Sequence, residues 1–491
     1  MTSVAGLKKR KAAGAIPPLL FAGRTVVTDM DASGAGVLEE RLPSGEAIEV
    51  IVPGAIPGDV IELSWRAPLP GGRRGLAESF RLLEASPEAA RRCPLAGECG
   101  GCPAARLDYA AELRIKTRTL VERPLAEAGL LREGVLLPAV GQPEGCARGF
   151  RNKAILYPGI LAGEPRFGYY RARSQALVGA EDCPQTPAWM GETARALAPL
   201  LLRPDCAPWR EATDEGALRA LLLREAPGTG ERLAAVVMRR LPGDPDAREG
   251  LLEAIREALA GARLTSLLLN LNEAPGSAVL SFAPGAARRI AGRDGVEAQL
   301  MGLAFTLDAQ TFLQVNTPQT PVLYGRALDA LELSPEDRVL DLYCGVGTLT
   351  LLAARRSAGA LGVERVEQSI ACARENARRN GLGSAAFIAA PVEKALSEPL
   401  PEGFRPTKIM VDPAYQGLAG GAARAVARLA RREGVRRLAY VSCNPRSFAR
   451  DAAALECEGL RLLSVTPVDM FPGALHLECV GVFEGRFDDG R

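Results

Sequence analysis

Cys443 stands in VSCNPRSF, residues 441–448, directly after an apolar run that reads as a strand. A thiol at a strand end, beside backbone N–H groups left open where the strand stops, can act as a nucleophile. Asp412 holds a similar place in VDPAYQG, residues 411–417. Near the C-terminus DMFPGALHLECV carries Glu478 and His476, the only histidine of the chain. Taken singly these residues carry little weight. An isolated cysteine is more often a small buried hydrophobe, and Cys344, Cys372, Cys457 and Cys479 read that way. An isolated glutamate is more often a salt-bridge partner, and Tyr343 alone would be core. A second group, Cys93, Cys99 and Cys102, lies within the ten residues CPLAGECGGC. The chain holds 11 cysteines and shows no sign of secretion, so these are thiols unless a metal or catalysis claims them.

A cofactor site is written in VLDLYCGVGTLTLLAA. An apolar run ends near Asp341, a turn holds Gly345 and Gly347, and a helical pattern follows. Glycines there let a ligand approach the backbone where a side chain would block it. Glu364 lies 19 residues beyond Gly345, at the end of the next strand pattern. An acid so placed can accept both ribose hydroxyls of an adenosine. The turn is G-x-G without the further glycine of a pyrophosphate site. S-adenosylmethionine, which has an adenosine and a sulfonium but no phosphate, suits it better than a dinucleotide.

The elements that must hold these residues follow from the rest of the pattern. The 491 residues are 47% hydrophobic and 24% charged, enough for several cores, and no apolar run is long enough to span a membrane. Residues 1–20 read as a short solvated tail on a cytoplasmic protein. Residues 21–85 alternate short Val/Ile runs with Gly/Pro turns, as in a small OB-like β-barrel. Residues 86–310 read as a central α/β domain with helices at 187–202 and 245–262. Its helical part, 106–140, has the option of packing on the C-terminal domain. From 311 to 491 repeated β–α units give a doubly wound, Rossmann-like sheet. The net charge of +2 is neutral on nucleic acid, but residues 146–173 hold six Arg/Lys, one acid and five aromatic residues. That mixture suits single-stranded RNA, or equally a sheet edge with its rings in a core. A monomer is expected.

Beyond these readings, the chain resembles the RNA uracil-C5 methyltransferase family, in the branch with an N-terminal TRAM domain and an iron–sulfur cluster. The resemblance rests on CPLAGECGGCPAARLDY, FRNKA (150–154), EDCPQ (181–185), FLQVN (312–316), DLYCGVGTLTL (341–351), VSCNP and FPGALHLE. It implies Cys443 as nucleophile and Glu478 as the base that removes the C5 proton. Gln314, Tyr343, Gly345, Glu364 and Asp412 would line the S-adenosylmethionine and uracil pocket. Cys93, Cys99, Cys102 and Cys183 would hold a [4Fe–4S] cluster. An all-thiolate set suits iron–sulfur or zinc, and spacing alone does not separate the two. The branch favours large-subunit (23S) ribosomal RNA over transfer RNA.

Two departures from the family pattern stand out. Asp412-Pro413-Ala414-Tyr415 replaces the usual Asp-Pro-Pro-Arg, and Ala474 replaces a threonine. DPAY is also similar to the Asp-Pro-Pro-Tyr of amino-group methyltransferases, a reading that leaves Cys443 and Glu478 without a task. A non-catalytic RNA-binding factor on the same fold is a further alternative, although neither Cys443 nor Glu478 is lost.

Overall fold

The computed structural model describes residues 19–66, 72–90, 92–146, 148–172, 174–276, 278–283, 285–401, 403–418 and 421–487. Most of the expected tail therefore lies outside the described residues, and Leu19 and Leu20 already belong to the strand Leu19–Val26. Two compact units result: the residues before 92 together with Arg106–Asp108, and Arg92–Ala105 together with everything from Tyr109.

In the first unit six strands form one sheet, in the order Leu19–Val26, Val60–Arg66, Arg74–Glu84, Ala47–Val52, Gly36–Arg41, Asp29–Met30. The end strands do not pair with each other, so the expected barrel is an open half-barrel. The strand Val60–Arg66 alternates buried and half-buried positions, the period of a sheet with one apolar face. That face packs Val50, Val52, Ile61, Leu63 and Trp65 with Leu38.

The second unit holds two seven-stranded sheets. In the central one, Leu218–Glu225 and Arg232–Met238 are buried on both faces and mostly apolar, with the buried Arg219 and Arg224 bonded to backbone carbonyls. The helices Ala188–Leu197 and Pro245–Leu259 share its core. Both stop short of the expected ends and finish in single 3-10 turns. The helical stretch Tyr109–Glu127, with one widened turn at Thr117–Glu122, places Val121 and Leu125 in a core with Leu340, Val411 and Tyr440.

The C-terminal sheet runs Ala385–Ala389, Gly359–Glu364, Arg338–Leu342, Lys408–Val411, Arg437–Ser442, Glu478–Gly485, Leu460–Val468. The first five strands are parallel, and Glu478–Gly485 is antiparallel to both its neighbours. From Arg338–Leu342 the chain winds first to one side and then to the other. The gap between Arg338–Leu342 and Lys408–Val411 is thus the switch point of a doubly wound sheet, where ligands bind beyond the carboxyl ends of the strands.

Candidate active site

The switch point gathers residues from five segments. Lys408–Val411 and Arg437–Ser442 are parallel neighbours, with Val411 opposite Tyr440, so Asp412 and Cys443 leave the sheet at the same edge. Ser442 pairs with Cys479 in the antiparallel ladder. One step further along that register lays Glu478 beside Cys443, although 35 residues separate them in sequence. Cys443 also precedes the helix Pro445–Cys457, whose first turn is closed by the Asn444 side chain accepting from Arg446 N. Asn444 Nδ2 donates to Tyr415 O at 2.9 Å, which latches the cysteine turn to the DPAY turn. Ala414 and Tyr415 are exposed, Tyr415 at 41%. Arg450 holds the Gln416 carbonyl at 2.7 Å.

Burial sets the proton affinities. Glu478, only 2% exposed, is pushed up to about 8, first by burial and then by Asp412. Burial alone pushes Asp412 up to about 7. The Cys443 thiol is pushed up to about 12 by burial, then by Glu478 and Asp412. A buried negative charge is costly next to another, so the free site holds its thiol protonated. Tyr324, on the helix Thr320–Ala330, joins the same group. It is raised well above the usual phenol range by burial, Asp412 and Glu478, with a hydrogen bond to Gln314 opposing. The sequence reading missed Tyr324, because a tyrosine on an apolar helix stripe carries no signal of its own.

On the methyl-donor side, the turn after Arg338–Leu342 is folded back by Tyr343 N and Cys344 N, both donating to Val363 O. Tyr343 takes a left-handed φ of 66° to do so. Gly347, with φ 83°, starts the helix Thr348–Ala354, and a Cβ there would stand 2.9 Å from the Phe387 ring. Gly345 has open space above it. Asp341 is fully buried; its Oδ2 accepts from Thr350 at 2.5 Å while Oδ1 has no protein partner. Its carboxyl is pushed up to about 7, chiefly by burial, with Asp412 and Glu364 adding to the shift. Glu364 accepts from Val366 N through Oε1. A glycine turn, an orphaned buried carboxylate oxygen and a second-strand acid fit an adenosine with a cationic methyl donor. Every expected residue of the pocket is therefore brought to one sheet edge, with Gln314 tied in through Tyr324.

The four expected metal ligands also approach one another. Cys102 is pushed up to about 12 by burial, and next by Cys183, Cys99 and Cys93. Burial raises Cys99 and Cys183 too, with other members of the set adding to it. Four thiols fit a soft metal. Their arrangement is less complete: among the described residues no three His, Cys, Asp or Glu side chains are gathered to hold a metal ion.

Within the described residues of 146–173 the rings and the cations are placed differently. Phe150 and Phe167 are buried, Arg166 is paired with Glu181 at 2.7 Å, and the Tyr157 and Tyr170 rings lie 4.6 Å apart. Lys153 is pushed down to about 7 by burial and by Arg224. Arg148, Arg166 and Arg171 are exposed, as is Tyr170 at 41%. Most of the rings in this stretch thus report packing, whereas Arg148, Arg166 and Arg171 keep cations at the surface, so neither of the two readings open at the sequence level is displaced.

An uncharacterized RNA methyltransferase of Gloeobacter violaceus is 32% identical over 95% of this chain and 98% of its own. The chain belongs to the RNA methyltransferase family. A second such family member, from Halalkalibacterium halodurans, is 29% identical over 93% of this chain and 96% of its own. A methyltransferase-domain profile matches residues 333–435, which include the glycine turn and Asp412. Among solved structures, the Pyrococcus abyssi tRNA (uracil-54, C5)-methyltransferase in complex with S-adenosyl-L-homocysteine superposes with a TM-score of 0.70. It is 25% identical, and the match covers 94% of this methyltransferase and all of that chain. The uracil-C5 resemblance read from the motifs therefore extends to the fold along nearly the whole chain. No helix among the described residues is long and apolar enough to cross a membrane.

Proposed function

We propose that this methyltransferase converts a uridine of RNA to 5-methyluridine through a covalent Cys443–C6 adduct. The observation that carries the reading is the ladder register that sets Glu478 beside Cys443, with Asp412 at the same edge. Uracil C5 is too weak a nucleophile to take a methyl group unaided. Addition of the Cys443 sulfur to C6 makes C4–C5 an enolate, and S-adenosylmethionine, when bound, supplies an electrophilic methyl group. Asp412, which leaves the sheet at the same edge as Cys443, is suited to take the thiol proton. That leaves Glu478 to remove the C5 proton, after which the C6–S bond breaks and the thiolate leaves. The target base must be flipped out or lie in a loop, since a stacked, paired uracil cannot reach a buried thiol.

The open N-terminal sheet, read as a TRAM domain, together with the cysteine set, favours 23S ribosomal RNA as substrate. A transfer RNA is the second reading, favoured by the likeness to the Pyrococcus enzyme. RNA carrying 5-fluorouridine at the target tests the reaction. Fluorine cannot leave as a cation, so the protein is expected to become covalently joined to methylated RNA, seen as a denaturation-resistant band. If no band forms, the C5 reading fails and the amino-group reading of DPAY returns.

For the cysteine set we propose a [4Fe–4S] cluster held by Cys93, Cys99, Cys102 and Cys183. Protein purified without oxygen should be brown and carry about four irons per chain. Cys183→Ser should lose the iron together with much of the solubility. Stoichiometric zinc in place of iron would decide for the other soft-metal site.

A further inference from the structure

The segment that leads into Glu478 is held by an unusual division of labour. Its five consecutive carbonyls, from Asp469 to Gly473, each accept a hydrogen bond from a different part of the chain. Gln142 Nε2 donates to Asp469 O at 2.5 Å, and Asn316 Nδ2 to Met470 O at 3.0 Å. Lys116 Nζ donates to Phe471 O at 2.8 Å, Gln185 Nε2 to Pro472 O at 2.6 Å, and Ala104 N to Gly473 O at 2.9 Å. Gly473 N in turn donates to the buried Glu112 at 2.6 Å. Gly473 has φ 81°, and a Cβ there would meet Gln185 Nε2 at 3.3 Å and the Cys102 sulfur at 3.5 Å. The left-handed turn favours glycine, and a Cβ there would sit in contact with the cysteine segment.

Gln185 is the member of this set that spans two sites. Its amide nitrogen donates both to Pro472 O and to the Cys102 sulfur, at 3.0 Å. Its backbone carbonyl accepts from Arg151 N at 2.9 Å. It lies two residues after Cys183, in the turn closed by Thr186 N donating to Cys183 O at 3.2 Å. One planar amide thus joins two stretches of the cysteine set to the turn before the base. Beyond that turn, Leu475 and Leu477 are buried and Glu478 opens the strand, so a shift of Pro472 is passed along a short, packed segment.

We infer that Gln185 is a positioning residue for Glu478, setting the base through Pro472 and making its placement depend on the folded state of the cysteine segment. The inference rests on the role proposed above for Glu478. A displacement of about 1 Å at a reacting group slows its step by about 100-fold. Gln185→Met keeps the length of the side chain and removes both hydrogen bonds. With ordinary RNA it should release product about 10- to 100-fold more slowly than wild type, so the methylated protein–RNA adduct accumulates. With 5-fluorouridine RNA, which reports only addition and methyl transfer, it should trap at a rate close to wild type. Gln185→Asn, which keeps the donor on a shorter arm, should fall between the two. A fall of trapping on the fluorinated RNA in parallel with the fall of product on ordinary RNA, or no change with either RNA, would overturn the inference. Hydrogen exchange supplies a readout apart from the reaction. Peptides covering 471–478 should exchange faster in Gln185→Met while those covering 338–342 do not, and equal exchange in 471–478 overturns the inference. Failure of wild type itself to trap on the fluorinated RNA would instead sink the proposed reaction, and the assignment of Gln185 to its release step with it.

Discussion

Cys443→Ala is expected to abolish methylation while binding of S-adenosylmethionine and RNA persists. The donor pocket proposed for the Asp341–Gly347 turn and Glu364 shares no hydrogen bond with the Cys443 side chain among the described residues. The alanine removes only the sulfur that adds to C6. Without that addition no enolate arises, and the methyl group has no nucleophile to meet. Loss of a nucleophile that acts as a unit with its partners lowers turnover by about 10⁴- to 10⁶-fold. Methyl transfer into bulk RNA measures the loss, and titration calorimetry with S-adenosylhomocysteine checks that the pocket is intact. No covalent band should form with 5-fluorouridine RNA. Methylation surviving in Cys443→Ala would sink the covalent mechanism.

Glu478→Gln should fail at a different step. Addition and methyl transfer precede the need for this base, so the variant is expected to stall with methylated RNA attached. The pH dependence follows from the value of about 8 for Glu478. Only the ionised carboxylate accepts the C5 proton, so product release in the wild type should rise about tenfold per pH unit below 8 and level off above it. Release in Glu478→Gln should be slow and flat across the same range. Stability moves the other way. The folded protein holds Glu478 protonated above the ordinary value of 4.5, so its burial costs nothing below pH 4.5. As the pH rises from there towards 8 the unfolded chain ionises first, and stability is lost. Glu478→Gln removes that loss, and its Tm should exceed that of wild type at pH 8 but match it below pH 4.5. A Tm difference independent of pH would mean that Glu478 is not held protonated in the fold.

Lys116, Glu112 and Asp469 show why the base can sit where it does. All three are fully buried, with Lys116 Nζ 2.6 Å from Glu112 and 3.0 Å from Asp469. Charges removed from water this completely are tolerated only when each is paired and hydrogen-bonded, and removing one partner typically costs about 3–5 kcal/mol. The triad anchors the helix Tyr109–Lys116 to the segment that precedes Glu478, with Tyr109 donating to Asp469 at 2.9 Å.

Much of this site was legible in the sequence. The apolar runs before Asp341, Asp412 and Cys443 mark parallel strands because a strand buried on both faces reads as a near-continuous apolar run. The glycine turn and Glu364 are readable as an adenosine site because backbone approach and ribose binding each demand one residue type at one place. These signals are local, and local pattern was enough to read the doubly wound C-terminal sheet and a glycine turn, while the grouping of Cys443 with Glu478 came from the resemblance to the uracil-C5 family. What the tertiary structure alone decided concerns pairs of residues far apart in the chain. The antiparallel entry of Glu478–Gly485 between two other strands put Glu478 beside Cys443, and no periodicity reports strand order. Burial, which raises Glu478 and Cys443, depends on what covers them. Tyr324 and Gln185 gain their places from partners 10 and 287 residues away, Gln314 and Pro472. The rings and cations of 146–173 were ambiguous for the same reason: composition is shared by a core and a surface, and only packing tells which of the two a side chain occupies.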